Sequence, residues 1–194
     1  NAIVGMTGLL LETELNAEQR DFAETVRISA DSLLTIINDI LDFSKIEAGK
    51  LELEPIDFKL RSCVEAILKT LASQFHQKGL ELTWNVEPDV PEALVGDPGR
   101  LRQILLNLVN NAIKFTPRGG KVTLSARDNG ANIVIEVKDT GPGMSERQKK
   151  HLFEPYHRPD MGVRVRPYGM GLGLVLCKMF IELHDGQIWV RSRL

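Results

Sequence analysis

The 194-residue chain has only two cysteines, no long apolar run and almost no net charge. Cys63 and Cys177 lie far apart and fit no metal-ligand or redox spacing, which predicts a reducing, cytoplasmic compartment. No apolar stretch approaches the roughly 18 residues that a membrane span needs, and no signal peptide stands at the start. The segment is therefore expected to make no membrane contact. A net charge of −2 gives no reason to expect nucleic acid or an anionic surface as partner. Internal repeats and low-complexity tracts are absent. What remains is a globular balance, 43% hydrophobic and 26% charged, in a length that holds one or two domains. The first residue is Asn1 rather than Met, so the chain reads as a piece of a longer protein, and a membrane anchor elsewhere in that protein stays open.

Residues 1–12 read as the end of a helix, broken by "TELNAEQ". Asn16 with Gln19 three residues on forms the pattern of a capping box that opens a second, long helix. Along it Phe22, Val26, Ala30, Leu33, Ile37, Ile40 and Phe43 step by three or four, close to a bundle seam, and Gly49 is a natural stop. Two such helices bury little alone. The pattern predicts pairing with a second copy into a four-helix bundle, the alternative being an intramolecular helical lid.

After Gly49 the period changes. "KLELEP" alternates like a short strand, 58–77 is helical, and "LELTWNV" alternates again. "VPEALVGDPGR" reads as a turn-rich bridge in which Asp97 is a good N-cap and Pro98 a good first helical residue. A helix follows, then a hairpin with strands at 121–127 and 132–138 around the turn Asp128-Asn129-Gly130. Glycine, proline and arginine dominate 140–169, long for a loop and so expected to be functional. A helix over 172–184 and a strand over 187–190 finish the chain. The order predicts an α+β fold: a helical hairpin, then an α/β sandwich with helices on one face of the sheet.

The helix after Pro98 carries Asn107, Asn110 and Asn111 in the run "LLNLVNNAIKF". Asn is a mediocre helix former, because its amide competes for backbone hydrogen bonds. Leu101, Ile104, Leu105, Leu108, Ala112 and Phe115 make a core stripe at helical spacing. Asn107, Asn111 and Lys114, at i, i+4 and i+7, share a second stripe facing away from it. Two neutral amides and one cation suit phosphate oxygens and a hydrated ion such as Mg2+, which takes few protein ligands. The alternative is a solvated polar face with no ligand.

Two glycine-rich turns follow. Asp139 ends a strand before "TGPGM", where Gly141 and Gly143 allow a tight turn and close approach to a planar ligand. An Asp there can accept from an exocyclic amine. "GMGLGL" places Gly169, Gly171, Leu172 and Gly173 at a helix start, where backbone N–H groups favour phosphate. Either turn alone is weak, and neither a Walker lysine-serine pair nor a βαβ unit accompanies them. The ordered combination is the specific signal.

That combination resembles the catalytic domain of sensor histidine kinases, in the wider group that includes gyrase, Hsp90 and MutL. "NLVNNAIKFT" is similar to the kinase N box, "DTGPGM" to the first glycine box, "LFEPY" to the F box and "GMGLGL" to the second glycine box. Upstream, "SLLTIINDILDFSKIEAGKLELE" resembles the second helix of the dimerisation and phosphotransfer region, notably of hybrid kinases. The resemblance implies two domains, a hairpin over 1–49 and an ATP-binding domain over 50–194. It implies that Asn111 coordinates Mg2+ with Asn107 close by, that Lys114 contacts phosphate, and that Asp139 accepts from the adenine amine in a pocket shaped by Gly141 and Gly143. Gly169, Gly171 and Gly173 would hug the phosphates beside Leu172. The lid would span 144–168, anchored by Phe153 and Tyr156, with Arg158, Arg164 and Arg166 either reaching the γ-phosphate or standing as solvated charges. The implied cofactors are ATP and Mg2+, and the implied partners a response-regulator receiver domain and a second copy of the chain.

In gyrase-like ATPases the position four residues before the Mg2+-binding Asn holds a water-activating Glu. Here it is Asn107, a poor base, so the site is expected to keep ATP for a nucleophile brought from elsewhere. In a histidine kinase that nucleophile is an imidazole. Its usual Ser-His-Glu box is not in the sequence, and His76, His151, His157 and His184 read as ordinary surface or packing histidines. This chain is therefore expected to bind ATP without phosphorylating itself. The resemblance also implies a further glycine-rich turn and strand after "GQIWVRSRL". Two other readings stay open: a gyrase- or Hsp90-like ATPase, disfavoured by Asn107, and a non-catalytic nucleotide-binding or dimerisation module.

Overall fold

In the computed structural model, residues 2–155 and 171–193 are described. Helices α1 (Ala2–Leu11) and α2 (Ala17–Glu47) pack on one another as a hairpin. The capping box at the turn is complete, with Asn16 Oδ1 accepting from Gln19 N at 2.8 Å and Gln19 Oε1 from Asn16 N at 3.1 Å. These bonds satisfy N–H groups that a helix start otherwise leaves orphaned. Of the predicted seam, Phe22, Val26, Leu33, Ile37 and Ile40 stay exposed, while Phe43 is half-buried.

The α+β part follows in the order β1 (Ile56–Phe58), α3 (Leu60–Lys78), β2 (Glu81–Val86), β3 (Leu94–Gly96), α4 (Pro98–Phe115), β4 (Lys121–Asp128), β5 (Ile133–Asp139), α5 (Glu146–Lys150) and α6 (Gly173–Leu183). The main sheet runs β2-β4-β5, with β2 and β4 parallel and β4 and β5 antiparallel. Its strand β4 alternates strictly: Val122, Leu124 and Ala126 are buried, and their neighbours are not. Over that face lie Val64, Ile67, Leu71 and Phe75 of α3 and Leu105, Val109 and Ala112 of α4. Burying such side chains contributes about 1.5–3 kcal/mol each before the entropy cost of ordering them. A second core joins Ile104 of α4 to Leu176, Cys177 and Phe180 of α6, with Phe43 and Ile46 of α2 and Leu51 packed against it. Helix α4 is therefore buried on two flanks, one on the sheet and one on α6.

Several sequence expectations are corrected. Residues 50–55 form no strand: Leu51 packs into the second core, Glu54 N donates to Asp97 Oδ2 at 3.1 Å, and the ladder falls later, pairing 56–58 with 94–96. The bridge before Asp97 accordingly contains a strand, β3, which exists because β1 is brought opposite it. The loop after Asp139 contains α5, opened by a second capping box at Ser145 and Gln148. Among the described residues 187–190 form no strand, because no neighbouring strand supplies a ladder of backbone bonds. In α4 the inner stripe includes Val109 and Ile113, whereas Phe115 lies exposed at the helix end.

Candidate functional site

The site is built around α4. Asp97 caps its start, accepting from Arg100 N at 2.9 Å, and Pro98 follows as its first residue. Partial burial pulls the Asp97 carboxyl up, but backbone N–H bonds from Arg100, Glu54 and Gly99 outweigh it and hold the group below its ordinary value. At the other end, Lys78 Nζ of α3 donates to the carbonyls of Ile113 and, at 2.7 Å, Lys114. A cation on those terminal carbonyls is favoured by the helix dipole.

Between these ends Asn107 and Asn111 are half-buried and Lys114 is exposed. Asn107 is less outward than its sequence position implies. Its Nδ2 donates to the Gly173 carbonyl of α6 at 3.4 Å, and its amide pulls the Cys177 thiol down, against the larger effect of burial. Burial pushes that thiol up to about 12, so Cys177 stays uncharged; its Sγ also contacts the Ile104 carbonyl at 3.7 Å. The Lys114 ammonium lies 5.2 Å from the centre of the Phe115 ring.

Asp139 ends β5 opposite Val122, and its Oδ1 accepts from Gly141 N at 2.7 Å. The turn is braced by Thr140, whose Oγ1 accepts from Lys121 N at 2.9 Å. A Cβ on Gly141 would stand 2.5 Å from Asp139 Oδ1 and 3.3 Å from the Phe115 carbonyl oxygen. Glycine at 141 is thus what lets this turn lie against the C-terminal end of α4. Gly143 and Gly171 have φ of 75° and 76°, left-handed values that other residues adopt at a cost. A Cβ on Gly173 would sit 3.5 Å from Asn107 Cγ, an ordinary contact.

The fold therefore brings Asn107, Asn111, Lys114, the Asp139–Gly141 turn and the α6 start to one helix. Leu172 is buried at the N-cap of α6, and its apolar side chain makes no capping bond to the backbone N–H groups. Phe153 is half-buried after α5. Tyr156, Arg158, Arg164, Arg166 and Gly169, with His157, lie outside the described residues. A hollow of about 330 Å³ lined by Glu52, Asp97 and Arg100 sits elsewhere, at the opposite end of α4. The sequence reading passed over Thr140, Lys78, Cys177, Arg100 and Gln103. Only Arg100 and Gln103 left a local sign, an i, i+3 polar pair beside the Asp97 cap.

Comparison with known proteins places the chain in a family. Residues 96–194 match the model of the family described as "Histidine kinase-, DNA gyrase B-, and HSP90-like ATPase", and residues 1–49 that of the "His Kinase A (phospho-acceptor) domain". The chain belongs to the histidine kinases. It is 45% identical over 197 residues to "Signal transduction histidine-protein kinase BarA" of Escherichia coli (strain K12), covering 100% of this chain and 22% of that protein. It is 48% identical to "Sensor protein GacS" of Pseudomonas syringae pv. syringae, covering 99% of this chain and 22% of that protein. The chain thus spans about a fifth of the length of these relatives. Among solved structures, full-length ShkA in complex with AMPPNP superposes with a TM-score of 0.76 at 33% identity, over 98% of this chain and 40% of ShkA. This histidine-kinase core has no helix long and apolar enough to cross a membrane among its described residues.

Proposed function

We propose that the chain is the Mg-ATP-binding kinase core of a two-component signalling protein. It would position the γ-phosphate for transfer to a histidine, for relay to an aspartate on a receiver domain. The observation that carries this reading is the gathering of Asn107, Asn111 and Lys114 on one helix, with the Asp139–Gly141 turn at one end and the α6 start against Asn107. The donor set fits the ligand. Asn111 would hold Mg2+ with Asn107 nearby, Lys114 would face phosphate, and the α6 start with Gly171, Leu172 and Gly173 would add N–H groups. Asp139 would accept from the adenine amine, and Gly143 would keep the turn narrow. Phe153 and Tyr156 would anchor the lid, which would carry Arg158, Arg164 and Arg166, and Gly169 would join the glycines at the phosphates. Bound Mg-ATP supplies the phosphoryl group; the chain supplies orientation and charge compensation.

Asn107 is what separates this reading from a gyrase-like ATPase. A neutral amide that donates to a carbonyl offers no base for water. We place the domain boundary at Gly49, with residues 1–49 dimerising through the exposed seam of α2 and residues 50–194 holding the nucleotide. The two free cysteines suit the reducing cytoplasm.

Titration with ATP by calorimetry, with and without Mg2+, tests the reading. Mg2+-dependent binding is expected, weakened at least about tenfold by Asn111→Ala and by Asp139→Ala, a loss of about 1.4 kcal/mol or more. Binding that ignores both substitutions refutes the assignment.

A further inference from the structure

Where α2 meets the rest of the molecule, a charged cluster sits beside the second core. Asp42 is 9% exposed, on the helix that carries Phe43 and Ile46 into the second core. Its Oδ2 accepts from Arg100 Nη1 at 2.8 Å and from Gln103 Nε2 at 3.1 Å. Arg100 Nη1 also donates to Gln103 Oε1 at 2.9 Å. The Arg100 guanidinium lies over the Phe180 ring of α6, 4.9 Å from its centre. One side chain thus touches three helices: α2 through Asp42, α4 on which it stands, and α6 through Phe180.

Two points of contact define how α4 and α6 lie together. At one, Arg100 meets Phe180; at the other, Asn107 meets Gly173. They are seven residues apart on each helix, about 10 Å, with Ile104, Leu176 and Cys177 packed between. The second point is the nucleotide site as read above. A packed helix pair shifts as a unit rather than bending locally. Whatever orients Arg100 therefore orients the Asn107–Gly173 contact. A partly buried, charge-assisted ion pair is also orientation-specific in a way that apolar packing is not.

We infer that Arg100, held by Asp42 and Gln103, is a positioning residue that couples the docking of α2 to the geometry of the nucleotide site. The inference rests on the reading of that site as a nucleotide site. Coupling between two sites is reciprocal, so bound nucleotide must in turn hold α2 against α4 and α6.

The test uses the whole 194-residue chain with Mg-ADP as probe. Affinity is measured by calorimetry, and hydrogen exchange of residues 39–47 is followed with and without nucleotide. The expected result is about 5- to 10-fold weaker binding for Asp42→Asn and for Arg100→Gln, within the usual range of coupling between sites. Gln103→Leu, which spares the ion pair, should weaken binding less. The exchanged pair, Asp42→Arg with Arg100→Asp, should recover part of the loss. Nucleotide should slow exchange at 39–47 in the unmodified chain and not in the single variants, a response that mere loss of packing would not give. Variants that bind Mg-ADP like the unmodified chain, or exchange at 39–47 that nucleotide leaves unchanged, would overturn the inference while the nucleotide reading stands. An unmodified chain that binds no nucleotide removes that reading and the inference with it.

Discussion

Asn107 shows how one residue answers two demands. An amide can donate to the Gly173 carbonyl and meet the Cys177 thiol without bringing a charge into a half-buried position. A carboxylate of the same shape only accepts, so it would set a negative charge against the Gly173 carbonyl oxygen in place of that bond. Asn107→Asp is therefore expected to cost about 1–3 kcal/mol, the typical penalty for a buried polar group that loses its partner. In a chain of this length that is a fall of roughly 2–12 °C in melting temperature. An unchanged melting curve at pH 7 would show that the amide does not need these contacts. Gly141 is the complementary case: the missing Cβ is what permits the Asp139 turn beside the Phe115 carbonyl.

At the scale of elements, α2 changes character along its length. The exposed seam runs from Phe22 to Ile40, while Asp42, Phe43 and Ile46 in the last third dock on α4 and α6. Asp39 lies in that last third, half-buried. Its carboxyl is raised from the ordinary 3.8 to about 6, first by burial and second by the neighbouring charge of Asp42. The folded state therefore binds a proton more tightly than the unfolded chain. Asp39's contribution to stability is fully present below its unfolded value and is lost as pH rises through about 6. Melting curves should thus show a gain in stability between pH 7 and pH 5 that Asp39→Asn removes. The same variant should melt higher than the unmodified chain at pH 7. A pH profile unaltered by the substitution would contradict the raised value.

Across the whole molecule, two apolar surfaces have opposite fates. The second core is closed by α2 itself, whereas the seam faces outward, with Phe22 60%, Leu33 55% and Ile37 43% exposed. A stripe of this size on a helix is more than scattered surface residues and marks an association face. Light scattering is expected to find a dimer, and Leu33→Asp with Ile37→Asp should shift it to monomer while leaving Mg-ATP affinity within about twofold, since those residues lie outside the docked third of α2. A monomeric unmodified chain at micromolar concentration would refute the bundle.

The sequence by itself determined what depends on neighbours a few residues away. The long helices are written in period, and their starts in caps: Asn16 with Gln19, Asp97 with Pro98. The β4–β5 hairpin is written in alternation around Asp128-Asn129-Gly130, and the candidate site in the order of its asparagines and glycines. Tertiary structure decided what depends on partners far along the chain. Strands β1 and β3 are three residues each, too short to carry a period, and exist only because each finds the other. Residues 187–190 have a strand's pattern but, among the described residues, no ladder beside them, so alternation alone did not make a strand. Asn107 turned out to lie against α6 because α4 has two buried flanks, and period marks only the wider one. Nor could any local pattern announce that Asp42 meets Arg100 across 58 positions. Periodicity tells a side chain which face it is on; only packing tells it what it touches.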